Sequence, residues 1–237
     1  MEVLRKGAQR LGLHLEQSHV ALFQRYHREL LEWNRKVNLT AIVEPQEVQS
    51  KHFLDSLTVS LAIPRDVLEN GSLVDVGSGA GFPGLPLKFL WPGLRVALVE
   101  SVGKKAAFLR HVVETLELAG VKVYSARAET LAHDPRLRGT FDVAVSRAVA
   151  EMAALAELTL PFCKVGGIAV AQKKVGVDEE IRRSERAVAT LGGELESVEE
   201  VDVAEMGEHR LLVVIRKVAP SPEGYPRRPG IPVKRPL

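Results

Sequence analysis

The spacing of apolar positions changes near residue 64, and the change divides the chain. Up to about Leu61 they recur at three- and four-residue steps, as in Phe23, Tyr26, Leu30 and Trp33, with Arg25, Arg28, Glu29 and Glu32 between them. That spacing predicts an amphipathic helix with one packed face, and Ser18 is its expected N-cap. Pro45 marks a second helix start, which carries K-H-F-L-D-S-L (51–57) and follows the polar W-N-R-K-V-N-L-T (33–40). Residues 64–71 read as a linker. Beyond them, short apolar runs at 73–76, 95–99, 121–124, 141–145 and 168–171 predict strands. A short helix ending at Trp91-Pro92-Gly93, one over 104–119 closed by Gly120, and one over 178–191 fall between them. A last apolar run, 211–215, is expected to be antiparallel. Strands alternating with helices predict an α/β fold on a mostly parallel sheet.

The first predicted strand breaks into V-D-V-G-S-G-A-G-F-P-G (74–84), where Gly77, Gly79 and Gly81 permit backbone angles and a close ligand approach that side chains forbid. Gly79, Gly81 and Gly84 also spell G-x-G-x-x-G, the dinucleotide fingerprint. Asp75 argues against that reading, since a carboxylate beside the turn repels a pyrophosphate. It favours S-adenosylmethionine, whose ammonium and sulfonium are positive, and V-D-V-G-S-G looks like the first motif of Rossmann-like methyltransferases. Glu100 follows the turn by about 20 residues, where such a site uses a carboxylate to hold the ribose hydroxyls. Ala128 and Glu129, after the third strand, fall on the same edge of the sheet.

The fourth strand ends in S-R-A (146–148), where substrate would meet cofactor. The Asp/Asn-Pro-Pro-aromatic motif of exocyclic-amine methyltransferases is absent there. Carbon-5 pyrimidine methylation needs a cysteine nucleophile, and Cys163, the one cysteine, reads as a small buried filler. An acceptor that is nucleophilic without deprotonation remains. Guanine N7 fits, and carboxylate, arginine and small-molecule acceptors stay open. His52, Asp55 and Ser56 share one helical face, as a solvated or capping cluster or a catalytic one. His209 or Arg210 pairs with the site or forms a surface pair at a strand end.

Composition narrows the class. The 237 residues are 46% hydrophobic and 26% charged, with no apolar run of membrane-spanning length and no signal-peptide layout, so the cytoplasm is the expected compartment. One cysteine gives neither an intrachain disulfide nor a cysteine cluster for zinc. Net charge is +2, but 194–208 is acidic, and from Arg216 onward Arg216, Lys217, Arg227, Arg228, Lys234 and Arg235 face Glu223 alone. Four prolines in 225–237 argue against helix or central strand there. The segment is either a stiff basic arm for a phosphate backbone or a solvated tail.

W-N-R-K-V-N-L-T, K-H-F-L-D-S-L, the glycine turn, S-R-A, E-H-R-L-L-V-V-I (208–215) and Y-P-R-R-P-G-I-P-V-K (225–234) occur in this order, and together the chain resembles the bacterial small-subunit ribosomal RNA guanine-N7 methyltransferases, the glucose-inhibited division protein B family. The resemblance implies a class I S-adenosylmethionine-dependent methyltransferase: a seven-stranded, mostly parallel sheet with helices on both faces. A helical extension (1–63), the methyltransferase domain (64–218) and a basic proline-rich tail (219–237) are the implied parts. It implies S-adenosyl-L-methionine as cofactor, held by Asp75, Gly77, Ser78, Gly79, Phe82, Glu100, Ser101, Val102, Ala128, Glu129 and Arg147. The implied substrate is a guanine in 16S ribosomal RNA, free or in the small subunit, positioned by Arg147 and Lys173 without a general base. Arg227, Arg228, Lys234 and Arg235 are expected on RNA. A monomer without metal and without membrane attachment is expected. Lys173-Lys174 stands where similar sequences show Lys-Gly, a departure from the family's pattern. The rival readings are a non-catalytic RNA-binding or assembly protein with a retained cofactor fold, and a small-molecule methyltransferase.

Overall fold

The computed structural model describes residues 1–147 and 149–237, so Ala148 of S-R-A lies outside the described residues. The strands are β1 (Ser72–Val76), β2 (Arg95–Val99), β3 (Val121–Tyr124), β4 (Phe141–Arg147), β5 (Cys163–Lys174), β6 (Gly193–Val201) and β7 (Arg210–Lys217). They form one sheet in the order β3-β2-β1-β4-β5-β7-β6. The pairs among β1 to β5 are parallel, and β7 runs antiparallel to both of its neighbours, β5 and β6. The helices are α1 (Glu2–Arg10), α2 (Gln17–Val37), α3 (Pro45–Glu47), α4 (Asp55–Thr58), α5 (Arg65–Asn70), α6 (Gly84–Leu90), α7 (Gly103–Thr115), α8 (Ala128–Leu131), α9 (Met152–Thr159), α10 (Asp178–Thr190) and α11 (Ile231–Lys234). A π-helical run, Val48–Leu54, joins α3 to α4.

The sheet is covered on both faces, which is why its central strands read as nearly unbroken apolar runs. Leu73, Leu98, Val143, Val170 and Val214 point into one core with α1, α2, α6 and α7. Val74, Val99, Ala144, Ala169 and Ile215 point into the other, against α8, α9 and α10. The N-terminal helices therefore share a core with the sheet. Their aromatic face does the joining: the buried Tyr26 ring lies 5.6 Å from Phe53, 5.6 Å from Phe82 and 5.5 Å from Phe89. Strand order reverses between β1 and β4, and in open α/β sheets the crevice at that point takes the ligand.

Four local expectations are corrected. Glu16, not Ser18, caps α2: its carboxylate accepts the His19 backbone amide, and its own N–H is donated to His19 Nδ1 (3.2 Å). Residues 64–71 are not a linker: Pro64 opens α5, whose Leu68 is buried. The acidic stretch holds strand β6, which has no apolar alternation because it is an edge strand with most of its side chains exposed; such charge keeps an edge from pairing further. The tail does contain a helical turn, α11, since Pro232 lies in its first turn, where no amide is needed.

Cys163 is buried, its Sγ within 3.3 Å of the Ile168 carbonyl, and burial pushes its thiol up to about 12. The folded protein should resist iodoacetamide at pH 8 and label fully in guanidinium chloride. Rapid labelling of the native state would show the thiol to be open.

Candidate cofactor and substrate site

The glycine turn leaves β1 with Gly77 at φ 75°, Gly79 at φ 59° and Gly81 at φ 101°. A side chain on Gly77 would come within 2.5 Å of Val149. Six backbone amides between Gly77 and Gly84 have partners within the protein. Gly77 N and Ser78 N donate to the Val99 carbonyl (2.9 and 3.1 Å), and Gly81 N and Phe82 N to that of Ser78 (2.7 and 3.0 Å). Gly79 N donates to Glu100 Oε2 and Gly84 N to Asp75 Oδ2, both at 2.9 Å. A phosphate would find these amides taken, and two of them taken by carboxylates. Tyr26 supports the turn from below, its hydroxyl donating to the Ala80 carbonyl.

Beside the turn lies a cavity of about 420 Å³ at the carboxyl ends of β1, β2 and β3. Val76, Gly77, Val99, Ser101, Ala126 to Glu129, Val149 and Leu158 line it, together with Gly230, Val233 and Lys234 from the tail. Its side-chain lining is apolar apart from Ser101, Glu129, Arg127 and Lys234.

On the other side of the switch point, the end of β4 meets the π-helical run. Arg147 Nη1 pairs with Asp55 Oδ2 (2.7 Å) and donates to the Lys51 carbonyl (3.1 Å). Its guanidinium carbon is 5.0 Å from the Phe82 ring centroid, and the His52 ring stacks on the same Phe82 at 4.6 Å. Asp55, 1% exposed, takes Arg210 Nε on its other oxygen (2.7 Å). Thr40 Oγ1 lies 2.8 Å from His52 Nε2, placed there by Asn34, whose Oδ1 accepts the Leu39 and Thr40 amides (2.7 and 2.9 Å). Burial, reinforced by the Arg147 charge, lowers His52 to about 4, so its ring is neutral at physiological pH.

The comparisons agree with this architecture. The profile of the GidB family, rRNA small subunit methyltransferase G, matches residues 19–211. The Ribosomal RNA small subunit methyltransferase G of Roseiflexus castenholzii is 50% identical over 237 residues, 100% of both chains. That of Dehalococcoides mccartyi is 46% identical over 237 residues, again 100% of both. The chain belongs to the GidB family. Among solved structures, the O-methyltransferase of Bacillus cereus in complex with SAH is similar in fold, with TM-score 0.57 at 17% identity over 81% of this chain and 91% of that one.

In this GidB-family chain the expected cofactor residues separate into two groups. Gly77, Ser101, Ala128 and Glu129 line the cavity. Glu100 lies next to it, its oxygens on the Gly79 and Val102 amides (2.9 and 2.7 Å), which joins the glycine turn to the exit of β2. Ser78 turns its hydroxyl inward to the Asp75 carbonyl (2.9 Å), and Phe82 serves the Arg147 side. Asp75 is the clearest departure from expectation: fully buried on the helix side of β1, it does not line the cavity and instead ties down Gly84 at the start of α6.

Lys173, expected to position substrate, has Nζ on the Ala150 carbonyl (2.7 Å) and Glu180 Oε1 (2.6 Å), and so secures the segment after β4 that bears Val149. Arg227, expected on RNA, is instead paired with Glu157, a carboxylate with no exposure, through Nε and Nη2 (3.0 and 2.7 Å). Burial without solvent demands such a partner. Arg228, Lys234 and Arg235 are exposed. His209 forms a surface pair with Glu200, whereas Arg210 joins the site through Asp55. The roles of Tyr26 on the glycine turn and of Glu157 under the tail are set by partners 54 and 70 residues away in the chain, whereas Asn34 acts locally on Leu39 and Thr40.

Desolvation raises Asp75 to about 7, with the Glu100 charge adding and the Gly84 amide and Arg147 opposing. The folded chain thus keeps a proton there between about pH 4 and 7 that the unfolded chain has lost, and stability falls as pH rises through that window. Asp75→Asn keeps an acceptor for Gly84 and abolishes the titration. Urea unfolding should show the variant gaining on the wild type, on the order of a few kcal/mol, as pH rises from 4 to 7. A difference independent of pH would contradict the assignment.

Proposed function

We propose that the protein transfers a methyl group from S-adenosyl-L-methionine to N7 of a guanine in 16S ribosomal RNA. Membership of the GidB family supports the small-subunit rRNA as substrate, and the state of the glycine-turn amides is the structural observation that carries the choice of cofactor. With those amides satisfied internally and two of them by carboxylates, the turn suits a ligand that brings positive charge and no phosphate. The residues present fit S-adenosylmethionine. Gly77 lines the cavity where any side chain would collide with Val149, Glu100 precedes the cavity-lining Ser101 at the exit of β2, and the largely apolar slot ending at Glu129 suits a flat ring with an amine. When bound, that cofactor supplies an electrophilic methyl on a sulfonium.

The chain's own part is positioning. Guanine N7 carries an unshared in-plane pair, so no proton has to leave before it reacts. His52, titrating near 4, and the inert Cys163 match a reaction that asks for neither base nor nucleophile. Arg147 stands at the switch point as the group that positions the base, backed by the buried Phe82 ring and fixed by Asp55. Orientation of two reactants in line supplies about 7 to 11 kcal/mol of the barrier reduction. Arg228, Lys234 and Arg235 are the exposed tail cations left for phosphate contacts.

Methyl-labelled cofactor incubated with naked 16S rRNA and with small subunits, followed by mass spectrometry of the digested RNA, should place one methyl on one guanine N7. Label on another base, or none on either RNA form, would overturn the assignment. Under single-turnover conditions with saturating cofactor, the rate should be flat between about pH 6 and 8, since no base near neutrality is required. A rate tracking the ionisation of one group in that range, and still doing so in Asp75→Asn, would count against base-free transfer. Cys163→Ser should retain activity.

A further inference from the structure

The tail, residues 219–237, is docked on the methyltransferase domain by three sets of bonds. Arg138 donates to the carbonyls of Ser221 (2.9 Å), Pro222 (3.0 Å) and Tyr225 (2.8 Å), three points on one stretch of tail. His133 Nε2 lies 2.8 Å from the Pro226 carbonyl. Arg227 closes on Glu157 with its backbone N–H as well as its guanidinium (2.7 Å for the amide). Glu157 has no exposure, so releasing Arg227 would leave a buried carboxylate alone. The prolines stiffen the segment between these anchors. The C-terminal turn beyond the anchors is thereby held in a fixed place: Gly230 donates its N–H to Glu129 Oε1 (2.8 Å), and Val233 and Lys234 form one side of the cavity facing Val76, Ala128, Val149 and Leu158.

We propose that this C-terminal turn is the outer wall of the adenine end of the cofactor site; the inference rests on reading the cavity as the S-adenosylmethionine site. Two features point to a flat apolar ring with an exocyclic amine as its occupant. Val233, 53% exposed, presents its apolar side chain to the cavity wall, and a ring in the cavity would cover it. Glu129 is buried, with one oxygen fixed by Gly230, which leaves Oε2 free of protein partners among the described residues and able to accept from an amine. Gly230 thus acts through Glu129 as a positioning residue, and Val233 acts by direct contact. The basic side chains on this turn come to lie at the mouth of the cofactor cavity and not on a separate arm.

Calorimetry with S-adenosylmethionine and with 5′-methylthioadenosine, which lacks the methionine end, tests the wall apart from activity. Val233→Glu changes only an exposed side chain, and truncation after Pro229 removes the wall while keeping the Arg138 and Arg227 anchors. Both should weaken the two ligands by the same factor, roughly fivefold or more, because the lost contact is with the ring they share. Val165→Glu, at a valine 54% exposed and outside the cavity, should leave both affinities unchanged. Should the truncated chain lose thermal stability, Val233→Glu decides alone. Unchanged affinities in Val233→Glu would overturn the wall, as would a truncation that alters only the salt dependence of rRNA binding, which would make the turn an RNA arm. Failure of the intact chain to bind either ligand would instead refute the cofactor reading itself, and the wall with it.

Discussion

A fully buried carboxylate beneath the glycine turn, Asp75, sets the geometry on which the site depends. Its bond to the Gly84 amide fixes where α6 starts, and the Glu100 bond to Gly79 fixes the turn against β2. With the Gly77, Ser78, Gly81 and Phe82 amides bonded to carbonyls as well, the turn is held by the protein's own contacts. The cost is a carboxyl held away from water with Oδ1 unpartnered, which is why it retains its proton to unusually high pH. The same arrangement engages six of the loop's amides, two of them with carboxylates, and so leaves little for an anion to bind.

The N-terminal helices extend that constraint outward. Tyr26 reaches the turn from α2, and the aromatic cluster of Phe23, Phe53, Phe82 and Phe89 locks α2 and the π-helical run onto α6. The run then presents Asp55, which binds Arg147 from β4 and Arg210 from β7 at 2.7 Å each. π-helical turns are rare and concentrate at functional sites. Here one carries His52 onto Phe82 while leaving Asp55 between two arginines, three elements meeting on one carboxylate. Removing Asp55 would leave two cations in a poorly hydrated place, so this cluster is as much a joint between extension and sheet as a substrate surface.

The tail shows the same economy of contacts on the opposite side of the switch point. Its basic composition suggests a solvated arm, yet its first arginine neutralises a buried glutamate and its backbone carbonyls are gathered by Arg138. The extended proline-rich backbone, with few internal hydrogen bonds of its own, presents those carbonyls outward, and a guanidinium with five donors is well matched to collect them.

The sequence by itself determined the layered α/β plan, β2 and β3 to the residue and β1 and β4 within two, because both faces of a covered sheet demand apolar side chains at a period that local reading detects, but it reached only the middle of β5 and missed α9. That Gly77, Glu100, Ala128 and Glu129 lie together at one edge of the sheet was legible for a related reason: the ends of parallel strands fall on one edge, so spacing along the chain predicts proximity. The edge strand β6 was not legible, since an exposed edge has no hydrophobic alternation to read. Nor were the roles of charged residues. Whether Arg227 meets phosphate or Glu157, whether Asp75 faces a ligand or a helix start, and whether Arg210 or His209 reaches the site each depend on a partner 9 or 70 or 155 residues away. Composition gives the charge, but only the tertiary structure decides what desolvates it and what pairs with it, because electrostatic roles are set by neighbours in space and not by neighbours in the chain.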